Sequence, residues 1–261
     1  MIGRRLYYWH IRYWLWRMRN LSTPYEQYYA DVVGRKLRRH GDHPAIGAQA
    51  QAIRTSTELL DIMRRHGMQP HHRFVDYGCG SLRLGKAVVD FLEPGKFRGM
   101  DVTQQFLDLG IDFIGADVNA AKRPALAVIT SENLATAKAS EPDFIASWHV
   151  CSKIPDGELD RYFGSILGLM DRTTQTFIQF PQTLRRRRMN SLNWTFSRAE
   201  FTAIVNRLAP GVKVDFITIV EENSLGVTES YAHLYYEPLA ETGQDREATA
   251  AGKLHGPAAA Q

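Results

Sequence analysis

The alternation of strand-like and helix-like segments between residues 73 and 237 is the strongest constraint on how this chain folds. Seven segments are rich in apolar, aromatic and β-branched residues, as strands are: RFVDYG, KFRGMDV, ALAVITS, DFIASWHV, QTFIQF, KVDFITIVEE and YAHLYYE. Helical patterns between them place apolar residues at 84, 87, 88 and 91, at 159, 162, 163, 166 and 170, and at 201, 204, 205 and 208. This alternation predicts an α/β domain with a mainly parallel sheet covered by helices on both faces.

The last two strand-like segments are joined differently from the others. Only a short stretch containing Gly226 separates residue 223 from residue 230. That is too little chain for the helical crossover that parallel neighbours require. We therefore predict a doubly wound, seven-stranded, mainly parallel sheet with a C-terminal antiparallel hairpin, preceded by an N-terminal helical extension.

Composition and periodicity divide the 261 residues into three parts. Residues 1–44 are a basic, aromatic N-terminal extension. Residues 45–239 are predicted to form one Rossmann-like domain, which opens with a helix over residues 45–66 that ends at Gly67. Residues 240–261 contain no aromatic or β-branched apolar residue, so we expect a disordered tail.

The net charge of +4 is concentrated near the N-terminus. Residues 1–40 contain nine Lys or Arg and two acidic residues, which leaves 23 basic and 26 acidic side chains in the rest of the chain. Because the basic charge is not spread over the predicted domain, we expect no nucleic-acid partner. Residues 1–20 combine three tryptophans and five arginines with no acid.

Two interpretations of residues 1–20 remain open. The aromatic rings and arginines suit an interfacial helix that lies on an anionic membrane. The same residues suit an extension that packs on the domain or in a homodimer contact. The first interpretation predicts peripheral contact with the inner face of a membrane, and the second predicts none.

Other sequence features indicate the cellular compartment and argue against disulfides and a metal site. The two cysteines, Cys79 and Cys151, lie far apart without a metal-ligand pattern, so we expect neither a disulfide framework nor a metal site. No apolar run approaches the ~18 residues of a membrane-spanning helix, and no secretory signal is visible. These features favour a cytoplasmic protein.

A glycine-rich turn follows the first predicted strand, in the segment VDYGCGS at residues 75–81. A strand that ends near Asp76 and passes through Gly78 and Gly80 into a helix directs backbone N–H groups at a ligand. Asp101 ends the next strand, where doubly wound folds place a carboxylate that binds ribose hydroxyls. A dinucleotide site would have a third glycine, but Leu82 stands near that place, so we expect a different nucleoside cofactor.

The VDYGCGS turn, Asp101, the fourth strand DFIASWHVCSKIP and the closing hairpin together resemble the class I S-adenosylmethionine (SAM)-dependent methyltransferases. The resemblance covers residues 73–239 and departs from the family's glycine pattern at Leu82. It implies SAM as the cofactor, with the ribose bound by Asp101. It also implies that the methionine end of SAM is contacted by Asp76, Gly78, Cys79, Gly80 and Ser81. The adenine would be contacted by Ser131 and Glu132, and Trp148, at the end of the fourth strand, would also contact SAM.

The resemblance also indicates where chemistry would take place. Family members often have a histidine after the fourth strand, and this chain keeps His149 there, so His149 is the predicted general base; the alternative is that it only lines the cofactor pocket. The predicted acceptor-binding residues are Lys153, Arg185, Arg186, Trp194 and Tyr231.

The main hypothesis from the sequence is a SAM-dependent methyltransferase that methylates an oxygen of a small-molecule or glycan-like acceptor. An RNA or protein methyltransferase is the second hypothesis, supported by residues 185–188, which are four consecutive arginines, and by the basic N-terminus. The third is a membrane-associated binding protein that has the same fold without turnover.

Overall fold

The computed structural model contains the seven-stranded α/β sheet that the sequence predicts. It describes residues 25–40, 49–83, 85–189, 193–220 and 226–237, together with residues 15, 16, 18, 19, 21 and 23. The strands are β1 (Phe74–Tyr77), β2 (Phe97–Asp101), β3 (Ala125–Val128), β4 (Phe144–Ser147), β5 (Gln175–Gln182), β6 (Val212–Val220) and β7 (Thr228–Tyr236).

The order of strands in the sheet is β3-β2-β1-β4-β5-β7-β6. Strands β1 to β5 pair in parallel, and β7 is antiparallel to both β5 and β6. Both the doubly wound order and the C-terminal antiparallel hairpin are therefore confirmed. The order runs outward in both directions from β1 and β4, which forms the crevice where open α/β sheets bind ligands.

Eight helices are described around the sheet. They are α1 (Tyr25–His40), α2 (Gln49–Arg65), α3 (Gly85–Phe91), α4 (Gln104–Ile114), α5 (Ala116–Lys122), α6 (Ser131–Ala139), α7 (Leu159–Leu169) and α8 (Arg198–Leu208). Two short 3-10 helices, Cys151–Lys153 and Asp156–Glu158, lie between β4 and α7. The helices α4, α5 and α6 occupy connections in which the sequence pattern predicted no helix.

The core lies on both faces of the sheet because successive residues of the buried strands point in opposite directions. Phe74 and Phe144 belong to one buried cluster with α2 and α3, whereas their neighbours Val75 and Ile145 belong to the other with α7 and α8. All four residues of β1 and of β4 are buried. Burial on both faces explains why these strands are continuous apolar runs rather than alternating ones.

Several predicted boundaries are tested by the structure. Helix α2 ends at Arg65, and Gly67 follows with a φ of 91°, while Met68 N donates to Met63 O, as in a glycine-terminated helix. Helix α8 begins with a capping box, in which Ser197 and Glu200 each bond to the other's backbone N–H.

The third strand is shorter than predicted, because β3 ends at Val128 and Ser131 begins α6. Thr130 caps that helix by accepting a hydrogen bond from Asn133 N. The predicted domain boundary at residue 44, most of residues 1–20 and the predicted disordered tail at residues 240–261 lie outside the described residues. None of the described helices is long and apolar enough to cross a membrane.

Candidate functional site

One cavity at the carboxyl ends of β1, β2 and β4 collects most of the predicted cofactor residues. About 870 Å³ of space, open solvent included, lies between its walls. Eight residues singled out from the sequence line this main cavity: Asp76, Gly78, Cys79, Gly80, Asp101, Trp148, His149 and Lys153. Among the described residues, no group of three or more His, Cys, Asp or Glu side chains could hold a metal ion.

The glycine turn that follows β1 requires backbone conformations suited to glycine. Gly78 has a φ of 84°, and a Cβ at that position would lie 2.2 Å from Val150 Cγ2. The backbone N–H groups of Gly78 and Cys79 both donate to Met100 O, at 2.7 and 3.0 Å. The turn is therefore fixed to the end of β2 and packed against the loop that follows β4.

Leu82, which stands near the place of the family's third glycine, has a φ of 57° and is fully buried. A leucine in this left-handed conformation costs roughly 1–2 kcal/mol, so its packing must offset that cost. The side chain fills the space left by two glycines: a Cβ on Gly85 would lie 2.9 Å from Leu82 Cδ2, and a Cβ on Gly110 would lie 2.8 Å from Leu82 Cγ. Leu82 thus keeps the backbone geometry of a glycine while it closes the core beneath the turn.

Asp101 is held by the turn that it was predicted to accompany. Its Oδ2 accepts a hydrogen bond from Gly80 N at 2.7 Å, and its Oδ1 accepts one from Val102 N at 2.7 Å. Burial raises the pKa of Asp101 to about 6, although these two backbone hydrogen bonds oppose the rise. Each carboxylate oxygen has a further lone pair for a ligand hydroxyl.

Asp76 is the most unusual group in the main cavity. The residue is 1% exposed, and its Oδ2 has no hydrogen-bond partner among the described residues. Burial, and secondarily the charge of Asp101, raise the pKa of Asp76 to about 8. A buried carboxyl with an unsatisfied oxygen beside a second carboxylate is a site suited to a cationic hydrogen-bond donor.

His149 follows β4 in a left-handed conformation, with a φ of 54°. Its backbone N–H donates to Gln179 Oε1 at 2.9 Å, and its ring lies 4.8 Å from the ring of Trp148. Burial, together with the charges of Lys153 and Arg83, lowers the pKa of His149 to about 3. The imidazole is therefore neutral near pH 7 and carries a free lone pair, but its low basicity limits the driving force for proton abstraction.

Lys153 lies in the 3-10 helix after β4 and lines the main cavity. Its Nζ donates to the backbone carbonyl of His149. Burial and the charge of Arg83 lower the pKa of Lys153 to about 8, whereas the carboxylates of Asp101 and Glu229 act in the opposite direction. Lys153 remains mainly a cation near pH 7.

Three predicted cofactor contacts lie outside the lining of the main cavity. Ser131 and Glu132 are exposed at the start of α6, because β3 ends three residues before Ser131, and Ile129 lines the cavity instead. Ser81 is 5% exposed and lies within the turn.

The structure does not bring four of the five predicted acceptor residues to the main cavity. Tyr231 is 1% exposed in the core, and Arg185 is exposed in the loop after β5. Arg186 bonds to Asp156 and to the carbonyl of Ile154, and its guanidinium lies 4.1 Å from the centre of the Phe196 ring. These contacts, and the stacking of a neighbouring arginine on Trp194, hold the loop together.

The N-terminal helix α1 supplies part of the cavity wall, which the sequence did not predict. Tyr25, Glu26 and Tyr29 line the cavity, and Glu26 Oε1 lies 3.3 Å from Arg161 Nη2 on α7. Burial raises the pKa of the Tyr29 phenol well above its ordinary value. The spacing of Tyr25, Tyr28, Tyr29 and Val32 places these residues on one helix face, and was the signal that could have identified α1 as a packed helix.

Comparison with solved structures identifies the fold. The chain aligns with magnesium protoporphyrin IX methyltransferase from Synechocystis PCC 6803 with bound SAM, over 80% of this chain and 94% of that one, with a TM-score of 0.57 and 14% identity. The fold is that of the class I SAM-dependent methyltransferases. The 4+2 cyclase SpnF aligns over 70% of this chain and 82% of that one, with a TM-score of 0.55 and 11% identity.

The small RNA methyltransferase HEN1 shares this methyltransferase fold over a part of its length. It aligns over 72% of this chain and 26% of that one, with a TM-score of 0.52 and 14% identity. No protein-family model and no curated protein sequence match the chain. At these identities the similarity establishes the fold, and the site's own chemistry must support the function.

Proposed function

We propose that the protein is a SAM-dependent methyltransferase that methylates an oxygen of a small-molecule or glycan-like acceptor. The observation that carries the proposal is the buried Asp76 carboxyl, which has an unpartnered oxygen in a cavity that also contains Asp101 and the glycine turn. These residues fit SAM, because its α-ammonium would satisfy Asp76 and its ribose hydroxyls would donate to Asp101. Gly80 has no heavy atom within 4 Å of where a Cβ would stand, so the turn leaves room for a ligand.

Methyl transfer requires that the acceptor oxygen be aligned with the methyl group and that water be excluded from the site. SAM, when bound, supplies an electrophilic methyl group on a sulfonium centre. Methyl transfer is an in-line displacement, so the protein must hold the acceptor oxygen opposite the leaving sulfur. The residues Trp148, Tyr29 and Tyr25 narrow the cavity with aromatic rings, which exclude water from the reacting groups.

His149 is the proposed general base for an acceptor hydroxyl. It lines the cavity at the end of β4, and its imidazole is neutral near pH 7. Because its basicity is low in the free protein, we propose that it accepts the hydroxyl proton only as the methyl group is transferred, when that proton becomes acidic.

An RNA or protein acceptor finds less support in the arginine run than the sequence suggested. Arg186 is engaged by Asp156, and Arg188 lies over the Trp194 ring at 5.3 Å, so both make contacts within the protein. A binding protein without methyl transfer is a separate alternative, since a protein named a cyclase shares the fold.

Titration calorimetry with SAM and with S-adenosylhomocysteine (SAH) tests the cofactor assignment. We expect both to bind, and we expect Asp101→Ala to weaken binding about tenfold or more, because a charge-assisted hydrogen bond contributes ~1.5–3 kcal/mol. Asp117→Ala, which changes an exposed carboxylate on α5, is the matched control and should bind normally. Failure of the folded protein to bind either compound would refute the proposed function.

The role of His149 is tested best with asparagine, which tolerates the left-handed backbone conformation at this position. We expect His149→Asn to lower methyl incorporation from labelled SAM into cell extract by ~10²–10⁴-fold, with an unchanged SAH affinity. His71→Asn alters an exposed histidine and serves as the control. Full incorporation by His149→Asn would exclude His149 as the base, and a labelled RNA or protein product would favour those acceptors.

A further inference from the structure

A second cavity adjoins the main cavity on the side away from β2 and β3. About 670 Å³ of space, open solvent included, lies between its walls, and it shares Arg83, His149 and Lys153 with the main cavity. Most of its remaining lining comes from the ends of β5 and β7 and from the loop after β5, including Pro181, Asn193 and Glu229. Because Asp101, the expected ribose ligand, lines only the main cavity, the second cavity lies where an acceptor would approach the methyl group.

Two cationic side chains, Arg83 and Lys153, line both cavities. Arg83 is close enough to Lys153 and His149 for its charge to lower the pKa of both. The Lys153 ammonium has three N–H donors, and the backbone carbonyl of His149 accepts from one of them. Among the described residues, no carboxylate lies within ion-pair distance of Lys153 Nζ.

Burial opposes the charged form of Lys153, and the charge of Arg83 adds to that cost, whereas the carboxylates of Asp101 and Glu229 reduce it. An anionic ligand that bonds to both would offset these costs, and its oxygens would use the remaining Lys153 donors. The buried residue Ser152 also lines the second cavity.

Glu229 is the acidic group in the lining of the second cavity, and its charge acts to raise the pKa of Lys153. Its Oε2 accepts a hydrogen bond from Gln179 Nε2. Gln179 is 2% exposed and uses its other amide atom to accept from His149 N. Through Gln179, Glu229 helps to hold the loop that carries His149.

We propose that the acceptor carries a carboxylate or phosphate group, which binds to Arg83 and Lys153 in the second cavity. This inference rests on the proposed methyltransferase function and names the class of its acceptor. The main competing role for the two cations is to bind the α-carboxylate of SAM itself, and the experiment below separates the two.

The test uses inorganic phosphate and acetate as probes of the SAH-loaded protein, with thermal unfolding measured against sodium chloride at equal ionic strength. We expect at least one of the two anions to raise the midpoint in a saturable manner, and the more effective anion indicates which group the acceptor carries. We expect Lys153→Met to weaken that apparent affinity about tenfold or more, whereas Lys153→Arg, which keeps the charge, retains most of it. Lys96→Met is the matched control, because Lys96 directly precedes β2 and lies at the amino ends of the parallel strands, away from both cavities. It should behave as the unmodified protein does.

Three results would overturn the inference. One is that neither anion stabilises the SAH-loaded protein more than chloride does. Another is that Lys153→Met and Lys96→Met respond alike. The third is that the anion stabilises only the protein without SAH and that Lys153→Met loses SAH affinity, which would assign the cations to the cofactor's carboxylate. A failure of the proposed function is recognised separately, because it appears as a lack of SAM and SAH binding in the unmodified protein.

Discussion

At the scale of single residues, the site is defined by carboxyl groups that burial holds partly protonated. Burial opposes the charged form of a carboxylate, so the buried Asp76 and Asp101 have raised pKa values of about 8 and about 6. Asp101 has two backbone donors that partly compensate, whereas Asp76 has an oxygen without any described partner. This difference makes Asp76 the group that gains most from a cationic ligand.

We expect the affinity for SAH to increase with pH between about 6 and 8, because of Asp76. Its pKa of about 8 means that the free protein holds the carboxyl protonated below that pH, while the ligand's ammonium favours the carboxylate. Binding then releases a proton, so Kd falls as the pH rises, by at most about tenfold per pH unit, and levels off above pH 8. Calorimetry at pH 6, 7 and 8 measures the trend.

Asp76→Asn is the control for this pH dependence, because an amide has no proton to release. The variant should bind SAH more weakly at pH 8 and should have a flatter pH profile than the unmodified protein. Parallel profiles for the two proteins would show that another group causes the pH dependence.

At the scale of elements, Leu82 couples the glycine turn to α3 and α4. The turn needs a left-handed residue there, and the side chain at that position points into the space between Gly85 on α3 and Gly110 on α4. Both helix glycines are explained by this contact, since a Cβ on either would enter the volume of Leu82. The glycine turn thus keeps its shape without the family's third glycine.

Gly110→Ala tests this packing directly. In an unobstructed helix the change stabilises by up to ~1 kcal/mol, but here the new Cβ would lie 2.8 Å from Leu82 Cγ and 3.3 Å from the Ser81 carbonyl carbon. We therefore expect a loss of ~1–3 kcal/mol in the free energy of unfolding, measured with urea, and a smaller loss when Leu82→Ala is already present. Gly164→Ala on α7, with no atom within 4 Å of its Cβ, should be neutral or stabilising. A neutral Gly110→Ala would contradict the packing account.

At the scale of the whole molecule, helix α1 packs beside the candidate site and contacts Trp16. Trp16 lies 5.1 Å from Tyr28, ring centre to ring centre, and packs in a cluster with Tyr25 and Val32 on α1. Tyr25 also lines the main cavity, so contacts in this region extend from the N-terminal segment to the candidate site. These contacts agree with the packing interpretation of the N-terminal segment, at least for Trp16.

Liposome flotation tests the membrane interpretation. Because Trp16 packs on α1, we expect the full chain and a chain without residues 1–20 to float equally with vesicles that contain anionic lipid. SAH affinity, measured in parallel, reports whether the shortened chain still folds. Flotation that is lost only in the shortened chain would support an interfacial helix formed by the residues that were removed.

The sequence alone determined the sheet, the glycine turn and the place of Asp101 at the end of β2. Strand and hairpin signals are local, and the acid at the end of β2 has a fixed relation to the turn in a doubly wound fold, so spacing along the chain was sufficient. The hydrogen bond from Gly80 N to Asp101 Oδ2 was not predicted and is a finding of the structure. The amphipathic α4 was visible in the sequence but not predicted, whereas α6, with Ala137 as its one buried residue, has little periodicity to detect.

Only the tertiary structure decided which polar residues share a cavity. Three examples join residues that are far apart in the chain. Glu26 lies beside Arg161, Asp156 binds Arg186, and Arg83 and Lys153 line the same two cavities. No local pattern encodes such contacts, because they depend on how helices and loops pack over the sheet. The same holds for Leu82: its left-handed backbone was unexpected from sequence, and its reason lies in two glycines on separate helices.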